Sequence, residues 1–303
     1  MPLSANVRGA LFMSLAMAGF LFNDTIVKVL SSDMNVGQVM ILRGMVATTL
    51  ITALAWHRGA LRPLATIMEP MIVLRVIGEV GGTVTFLIAL THIPIANASA
   101  ILQALPLAVT MGAALFLAEP VGWRRWTAIA VGFLGVMIIV RPGVAGFSAY
   151  SLLVLATVGF AALRDLATRM VRADVPSLFL SVVTSPIVAL TGLVMAPLMG
   201  GFSPVEAKHA GLILFGAILL LFGYQFIIMA MREGDISFIA PFRYTNLLWA
   251  MLVGYLVFGD IPDRYMIVGA AIIVGSGLYT LYRERRKPEA EPVAAETPAR
   301  HAP

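Results

Sequence analysis

Seven charged side chains lie inside apolar stretches of this chain, and they bound the chemistry it can do: Asp24, Arg43, Arg75, Glu79, Arg164, Asp165 and Arg243. An ionisable group at bilayer depth costs roughly 2.5–3.5 kcal/mol on insertion scales, so such groups face a bundle interior or a water-filled cavity. There they can anchor a charged cargo, close a gate or carry a proton. Asp24 and Arg43 fall at similar depth in consecutive apolar runs. That predicts an outer gate and substrate anchor, or an ion pair that locks two helices. Arg75 and Glu79 are spaced i, i+4 and share a helix face. Arg75 is close enough to its helix end to snorkel, so the pair reads as a solvated pair at the bundle mouth. Glu79 lies deeper and is a candidate proton acceptor.

Arg164 and Asp165 sit in the inner half of a sixth run. Arg243, about two turns into the ninth run from the same side, is predicted to pair with Asp165 as an inner gate. Arg243, Asn246 and Trp249 recur at three-residue steps on one stripe. Tyr244, Tyr224, Gln225 and Gln103 add polar and aromatic groups to the candidate set. An arginine among amides and aromatic rings suits a planar polar ligand or a carboxylate. The competing reading is an interhelical hydrogen-bond network, worth only about 0.6 kcal/mol per bond in membranes.

Other chemistries lack their residues. The chain has no cysteine, so disulfides, thiolate nucleophiles and Cys-ligated metals are excluded. Its four histidines, His57, His92, His209 and His301, lie outside the centres of the apolar runs, which argues against an intramembrane metal site. No HExxH, GxSxG or GxxxxGK[ST] pattern occurs. A carboxylate dyad of Asp24 and Asp165 fails because the two fall in opposite halves of the membrane. The expectation is a protein that is not an enzyme, holds no cofactor or metal, and drives uphill movement through a coupling proton or a counter-substrate. The sequence pI of about 9.8 does not signal nucleic acid, because the basic residues form no patch.

The elements that must position these residues are helices. Of 303 residues 59% are hydrophobic and 12% charged, and mean hydropathy is +0.91. A soluble domain is nearer a quarter charged, so lipid must cover part of this surface. Runs of about 20 apolar residues match a hydrocarbon core about 30 Å thick. Ten spans are predicted, near 9–30, 36–56, 71–91, 95–117, 124–140, 149–169, 177–199, 210–231, 236–257 and 263–282. Ala16-Met17-Ala18 resembles a signal-peptide cleavage site, but the apolar run continues to Leu30. Short links such as Arg141-Pro142-Gly143 and Gly259-Asp260-Ile261-Pro262 predict antiparallel neighbours. Pro106, Pro186, Pro197 and Pro241 are predicted kinks. Gly81, Gly82, Gly132, Gly135, Gly269, Gly275 and Gly277 are predicted close-packing positions. A Pro/Ala/Glu-rich tail over 283–303 has little to bury and is expected to be disordered.

On the face holding the N-terminus the loop cations are Arg8, Arg58, Arg62, Arg124, Arg125, Arg169, Arg172, Arg232, Arg283, Arg285, Arg286 and Lys287. The other face has Lys28, Arg141, Lys208 and Arg264. This bias predicts both termini in the cytoplasm.

The chain also repeats itself. A gapless shift of 141 residues sets Asp24 on Asp165, Lys28 on Arg169, Asp33 on Asp174, Gly82 on Gly223, Ala89 on Ala230 and Glu119 on Asp260. Two units follow, 1–142 and 143–282, of five spans each. Five is odd, so the second unit must be inverted relative to the first. Inverted repeats are a transporter architecture with the site near the midplane.

Ile95-Ala96-Asn97-Ala98-Ser99-Ala100, Leu105-Pro106-Leu107, Leu117-Ala118-Glu119-Pro120, Gly132, Gly135-Val136 and Arg141-Pro142 resemble the end of an EamA repeat, the unit of the drug/metabolite transporter superfamily. The resemblance covers about residues 8–282. It implies an all-α fold of ten helices in two inverted repeats, a central cavity and a small-molecule substrate. Asn23-Asp24 with Lys28, Gly37-Gln38 and Leu42-Arg43-Gly44 resemble a bacterial branch that includes riboflavin importers. Other similar branches take up S-adenosylmethionine or export amino acids. The same stretch adds Asn23 to the candidate set. A non-transporting membrane scaffold is the alternative of a different class. Alternating access between the two repeats is the expected mechanism.

Overall fold

A computed structural model describes residues 4–143, 147–233 and 236–285. The described residues are helical throughout, with short links. In chain order the helices are α1 (Ala5–Leu30), α2 (Val36–His57), α3 (Pro70–Leu90), α4 (Ile95–Leu102), α5 (Leu105–Phe116), α6 (Trp123–Val140), α7 (Ala149–Met170), α8 (Ser177–Leu198), α9 (Ala207–Glu233), α10 (Ile236–Ile239), α11 (Thr245–Phe258) and α12 (Arg264–Arg285). Nine candidate membrane spans occur among the described residues, with α4 and α5 together making one. The tenth crossing is the broken segment α10–α11. The fold is therefore the expected ten-span bundle. The tail beyond 285 lies outside the described residues, and 283–285 belong to α12 rather than to the tail.

Local signals explain the boundaries. Ser4 and Asn35 cap α1 and α2 by accepting the N–H groups of Val7 and Gln38. Gly259, at φ 69°, closes α11 in the left-handed region, where a Cβ would be strained. The fourth and ninth crossings are both interrupted at mid-depth. The first breaks at Gln103–Ala104, just before Pro106. The second passes through a 3₁₀ turn, Ala240–Tyr244, that contains Pro241.

The packing obeys the internal repeat. Adding 141 to the bounds of α2 gives 177 and 198, the bounds of α8. α1 packs on α9, and its shifted counterpart α7 packs on α3. The pairs α2–α8 and α6–α12 map onto themselves. This is the pattern of a two-fold axis lying in the membrane plane, with one repeat inverted relative to the other.

We call the face carrying Ala5 and Arg285 the terminal face. The half of the bundle away from it is one continuous apolar core, including Leu30, Val39, Leu90, Ile101, Val140, Val154, Val253 and Met266. The half near the terminal face is different. Its core is split into one cluster around Met13, Ala230 and Ile239 and a second around Ile72, Phe179 and Leu180. The bundle is sealed on one side and parted on the other.

The link between α1 and α2 is pinned on the sealed face. Asp33 accepts from His209 Nε2 at 2.9 Å and faces Lys208 Nζ at 3.3 Å. The His209 hydrogen bond, then Lys208, hold the Asp33 carboxyl below the usual carboxylate range. A depressed folded pKa adds stability that is present above the unfolded pKa, about 3.9, and lost as pH falls through the folded value. Thermal midpoints recorded from pH 6 down to pH 3 should therefore fall, and Asp33→Asn should flatten that slope. An unchanged slope in the variant would show that these contacts carry no pH-dependent stability.

Candidate functional site

The ionic side chains gather where the split half begins. Arg164 is six residues from the end of α7, about 9 Å deep at 1.5 Å per residue. Its Nε donates to Asp165 Oδ1 at 2.8 Å, and its Nη1 reaches Glu79 Oε2 of α3 at 3.4 Å. Arg75, one turn nearer the terminal face than Glu79, donates from Nη1 to the Thr184 hydroxyl of α8 at 2.7 Å. Tyr224 of α9 packs edge-on against Phe20 of α1, with ring centres 5.3 Å apart, and lies within electrostatic reach of Glu79, Arg43, Arg164 and Arg75. Side-chain exposures of Arg164, Glu79 and Asp165 are 31%, 29% and 39%. Ions at this depth tolerate such exposure only if it opens to water, so the parted half forms a polar cleft.

Asp24 and Arg43 sit toward the sealed side. Asn23 Nδ2 donates to Asp24 Oδ1 at 3.1 Å, and Arg43 acts on Asp24 as its counter-charge. No hydrogen bond joins Arg43 to Asp24 among the described residues, so the expected direct pair is an electrostatic neighbourhood instead. Gln103 stands at the break between α4 and α5 with its Nε2 buried and unpartnered.

Four expectations are corrected. Arg75 and Glu79 do not form a solvated pair at the mouth, because each finds a partner on another helix. Asp165 does not pair with Arg243; the neighbouring Arg164 takes it. Arg243 is exposed and joins no carboxylate among the described residues. Tyr244 turns away from the cleft. Its hydroxyl fills the space that a Cβ on Gly277 of α12 would need. Gln225 lies on the exposed stripe of α9 with Ile218, Leu221, Phe222 and Ile228, and so faces outward. Asn246 and Trp249 donate to the Met17 and Ser14 carbonyls at 3.5 and 3.2 Å. They tie α11 to α1, as the hydrogen-bond-network reading expects. Thr184 was not singled out in the sequence. A threonine in an apolar run gives no signal unless the arginine facing it is known.

An apolar groove of about 470 Å³ opens elsewhere, between α11 and α12, walled by Phe242, Leu247, Met251, Ile267 and Val274. Its walls suit an acyl chain, not a polar cargo.

Comparison with known proteins gives consistent matches. A model of the EamA-like transporter family matches residues 7–141 and again 147–282. A riboflavin transporter of Vibrio cholerae is 30% identical over 94% of this chain and 96% of its own length. An S-adenosylmethionine uptake transporter of Rickettsia felis is 26% identical over 87% of this chain and 89% of its own. A solved crystal structure covers 94% of this chain and 99% of its own at a TM-score of 0.59 and 18% identity, which speaks for the fold alone.

Proposed function

We propose a cargo class and a gating scheme from one premise: this chain belongs to the EamA-like transporter family. It is a multi-pass membrane transporter, and the reading below concerns what it carries and how. The cargo is a small polar metabolite, moved across a bacterial inner membrane by alternating access and without chemical conversion. The observation that carries this is the Arg164–Glu79–Asp165 cluster at the base of a cleft that parts one half of the bundle only. A site reachable from one side, under a sealed core, is what alternating access needs. The excess of loop cations on the terminal face supports a cytoplasmic location for both termini, and on that reading the cleft faces inward in this state. With no nucleotide loop in the chain, uphill movement draws on a proton gradient or on exchange.

Riboflavin or a related planar vitamin is the first cargo, supported by similarity to the Vibrio cholerae transporter over nearly its full length. Tyr224 beside the cluster offers a ring for a planar ligand to stack on. One observation favours S-adenosylmethionine as the second cargo. The cleft sets two guanidiniums, Arg75 and Arg164, beside two carboxylates, Glu79 and Asp165. Such a balanced set matches a zwitterion with an additional cation better than a neutral ring.

Proteoliposomes loaded with purified protein distinguish these readings. Labelled riboflavin or S-adenosylmethionine should accumulate saturably, and excess of the same unlabelled compound should suppress it. Uptake of both, and of amino acids and nucleosides, no faster than into protein-free liposomes would reject the reading.

A further inference from the structure

α6 and α12 pack antiparallel, and the 141-residue repeat exchanges them. The two ends of this crossing can therefore be compared within one molecule. At the sealed end Asp263 does two jobs. Its Oδ1 accepts the N–H of Met266 at 2.8 Å and caps the start of α12. Its Oδ2 accepts from Nη2 of Arg141, the residue that closes α6. The guanidiniums of Arg141 and Arg264 lie 4.5 and 4.9 Å from the centre of the Tyr265 ring. At this end the chain supplies its own anion.

Subtracting 141 carries Asp263 to Gly122, Arg264 to Trp123, Tyr265 to Arg124 and Met266 to Arg125. Ring and cation survive with their order exchanged: the Arg124 guanidinium lies 5.2 Å from the centre of the Trp123 ring. The acid does not survive. Gly122 opens α6 without a side-chain cap. A hollow of about 160 Å³ lies beside it, walled by Trp123, Arg124, Arg125 and, from the end of α12, Arg283. Arg125 is buried there. Among the described residues neither Arg124 nor Arg283 joins a carboxylate.

Three guanidiniums around one hollow repel each other and match the forked geometry of a phosphate. The surroundings point to a lipid as its source. Trp123 is 70% exposed and Trp126 37%, and such rings settle at headgroup depth. Leu134 and Met137, deeper on the same helix, are exposed as well and give acyl chains an apolar flank. Basic pockets between membrane helices suit anionic headgroups. We infer that the ends of α6 and α12 at the terminal face bind the phosphodiester headgroup of an anionic phospholipid, which takes the part that Asp263 plays at the sealed face. The lipid ties the first repeat to the second at their shared crossing. Neither cargo nor gating enters this inference, so it stands or falls apart from uptake.

Gly122→Asp is the decisive variant. It gives the terminal face the acid of the sealed face and removes no arginine. The backbone there is extended, at φ −68° and ψ 156°, and a built Cβ meets nothing within 4 Å. The substitution is therefore free of strain and adds an N-cap. Native mass spectrometry of the purified full chain, titrated with phosphatidylglycerol or with phosphatidylcholine of the same acyl chains, counts bound lipids. Wild type should hold one phosphatidylglycerol roughly tenfold more tightly than phosphatidylcholine, the scale of one charge-assisted hydrogen bond. Gly122→Asp should lose that preference while its thermal midpoint without lipid holds or rises, which a merely damaged fold would not do. Arg124→Gln combined with Arg283→Gln should lose it too, whereas Arg58→Gln on the same face should keep it. A preference retained by Gly122→Asp, or lost equally in Arg58→Gln, would reduce the arginines to diffuse surface charge and overturn the site. Displacement of the lipid by an equal concentration of inorganic phosphate would make a free anion the ligand and overturn it as well. The side chain of Glu284, next to Arg283, lies outside the described residues and is the competing occupant. A severalfold rise in phosphatidylglycerol binding by Glu284→Gln would show that the chain's own acid fills the hollow, against the inference.

Discussion

Arg164→Gln is expected to lower cargo uptake by roughly tenfold to a hundredfold, the worth of one or two charge-assisted hydrogen bonds, while the protein stays folded. Arg164 is the cation around which the cleft is organised. It holds Asp165 at 2.8 Å and Glu79 at 3.4 Å. Without it the two carboxylates face each other and Arg75 alone, and the four-charge set goes from neutral to a net negative charge. A cargo anion then loses its fork, and the acids lose the geometry that would receive a cargo cation. The cost in stability should be small. All three side chains are about one-third exposed to the cleft, so water screens the pairs. The loss should lie nearer the 0–1 kcal/mol of a surface pair than the roughly 3–5 kcal/mol of a broken buried one. Arg164→Lys keeps the charge but not the planar fork, and should fall between wild type and glutamine. Normal saturable uptake by Arg164→Gln, at unchanged thermal midpoint, would reduce the cluster to scaffolding.

Depth along a helix was legible in the sequence, and direction around it was not. Apolar runs of bilayer length, punctuated by Ser31-Ser32-Asp33 or Gly200-Gly201, fix where each span begins and ends to within a few residues. The charged positions then follow at heights set by their place in each run, Glu79 in the inner half of the third and Arg164 and Asp165 in the inner half of the sixth. Which neighbour each one meets depends on rotation about the helix axis. In a soluble helix the polar stripe reports that rotation. These spans are apolar on every side, so the report is lost. Equal heights match Asp165 with Arg243, yet Arg243 is exposed and the adjacent Arg164 takes the carboxylate. Tyr244 and Gln225 failed for the same reason. One faces α12 and the other faces outward, and nothing in their local sequence distinguishes those directions from the cleft. The repeat was the stronger signal. It matched Lys28 with Arg169 and Glu119 with Asp260 as sequence equivalents. Only the fold shows that Arg169 pairs with Glu119 of the other repeat, while Lys28 gives its hydrogen bond to the Ile93 carbonyl.

Gly269→Val is expected to cost about 3 kcal/mol or more, with a loss of monodisperse protein after detergent extraction. α6 and α12 cross with their backbones in contact. A Cβ built on Gly269 would lie 2.5 Å from the Gly135 carbonyl oxygen, and one on Gly135 would lie 2.8 Å from the Gly269 oxygen. A side chain in the way can rotate, but a helical carbonyl cannot, so the helices must separate. Separation forfeits the dispersion contacts that drive helix association where lipid removes most of the hydrophobic gain. The α6–α12 crossing also lies on the internal two-fold axis, so both repeats lose register together. The comparison within one helix makes the test sharp. Gly275, two turns along α12 and equally prominent in the sequence, has nothing within 4 Å of a built Cβ. It is not the packing position its spacing suggested. Gly275→Ala should therefore be neutral, or stabilising by up to about 1 kcal/mol through higher helix propensity. Equal losses of thermal midpoint in Gly275→Ala and Gly269→Val would mean that α12 tolerates no side chain on any face, and that the carbonyl contact at Gly135 is not what decides the crossing.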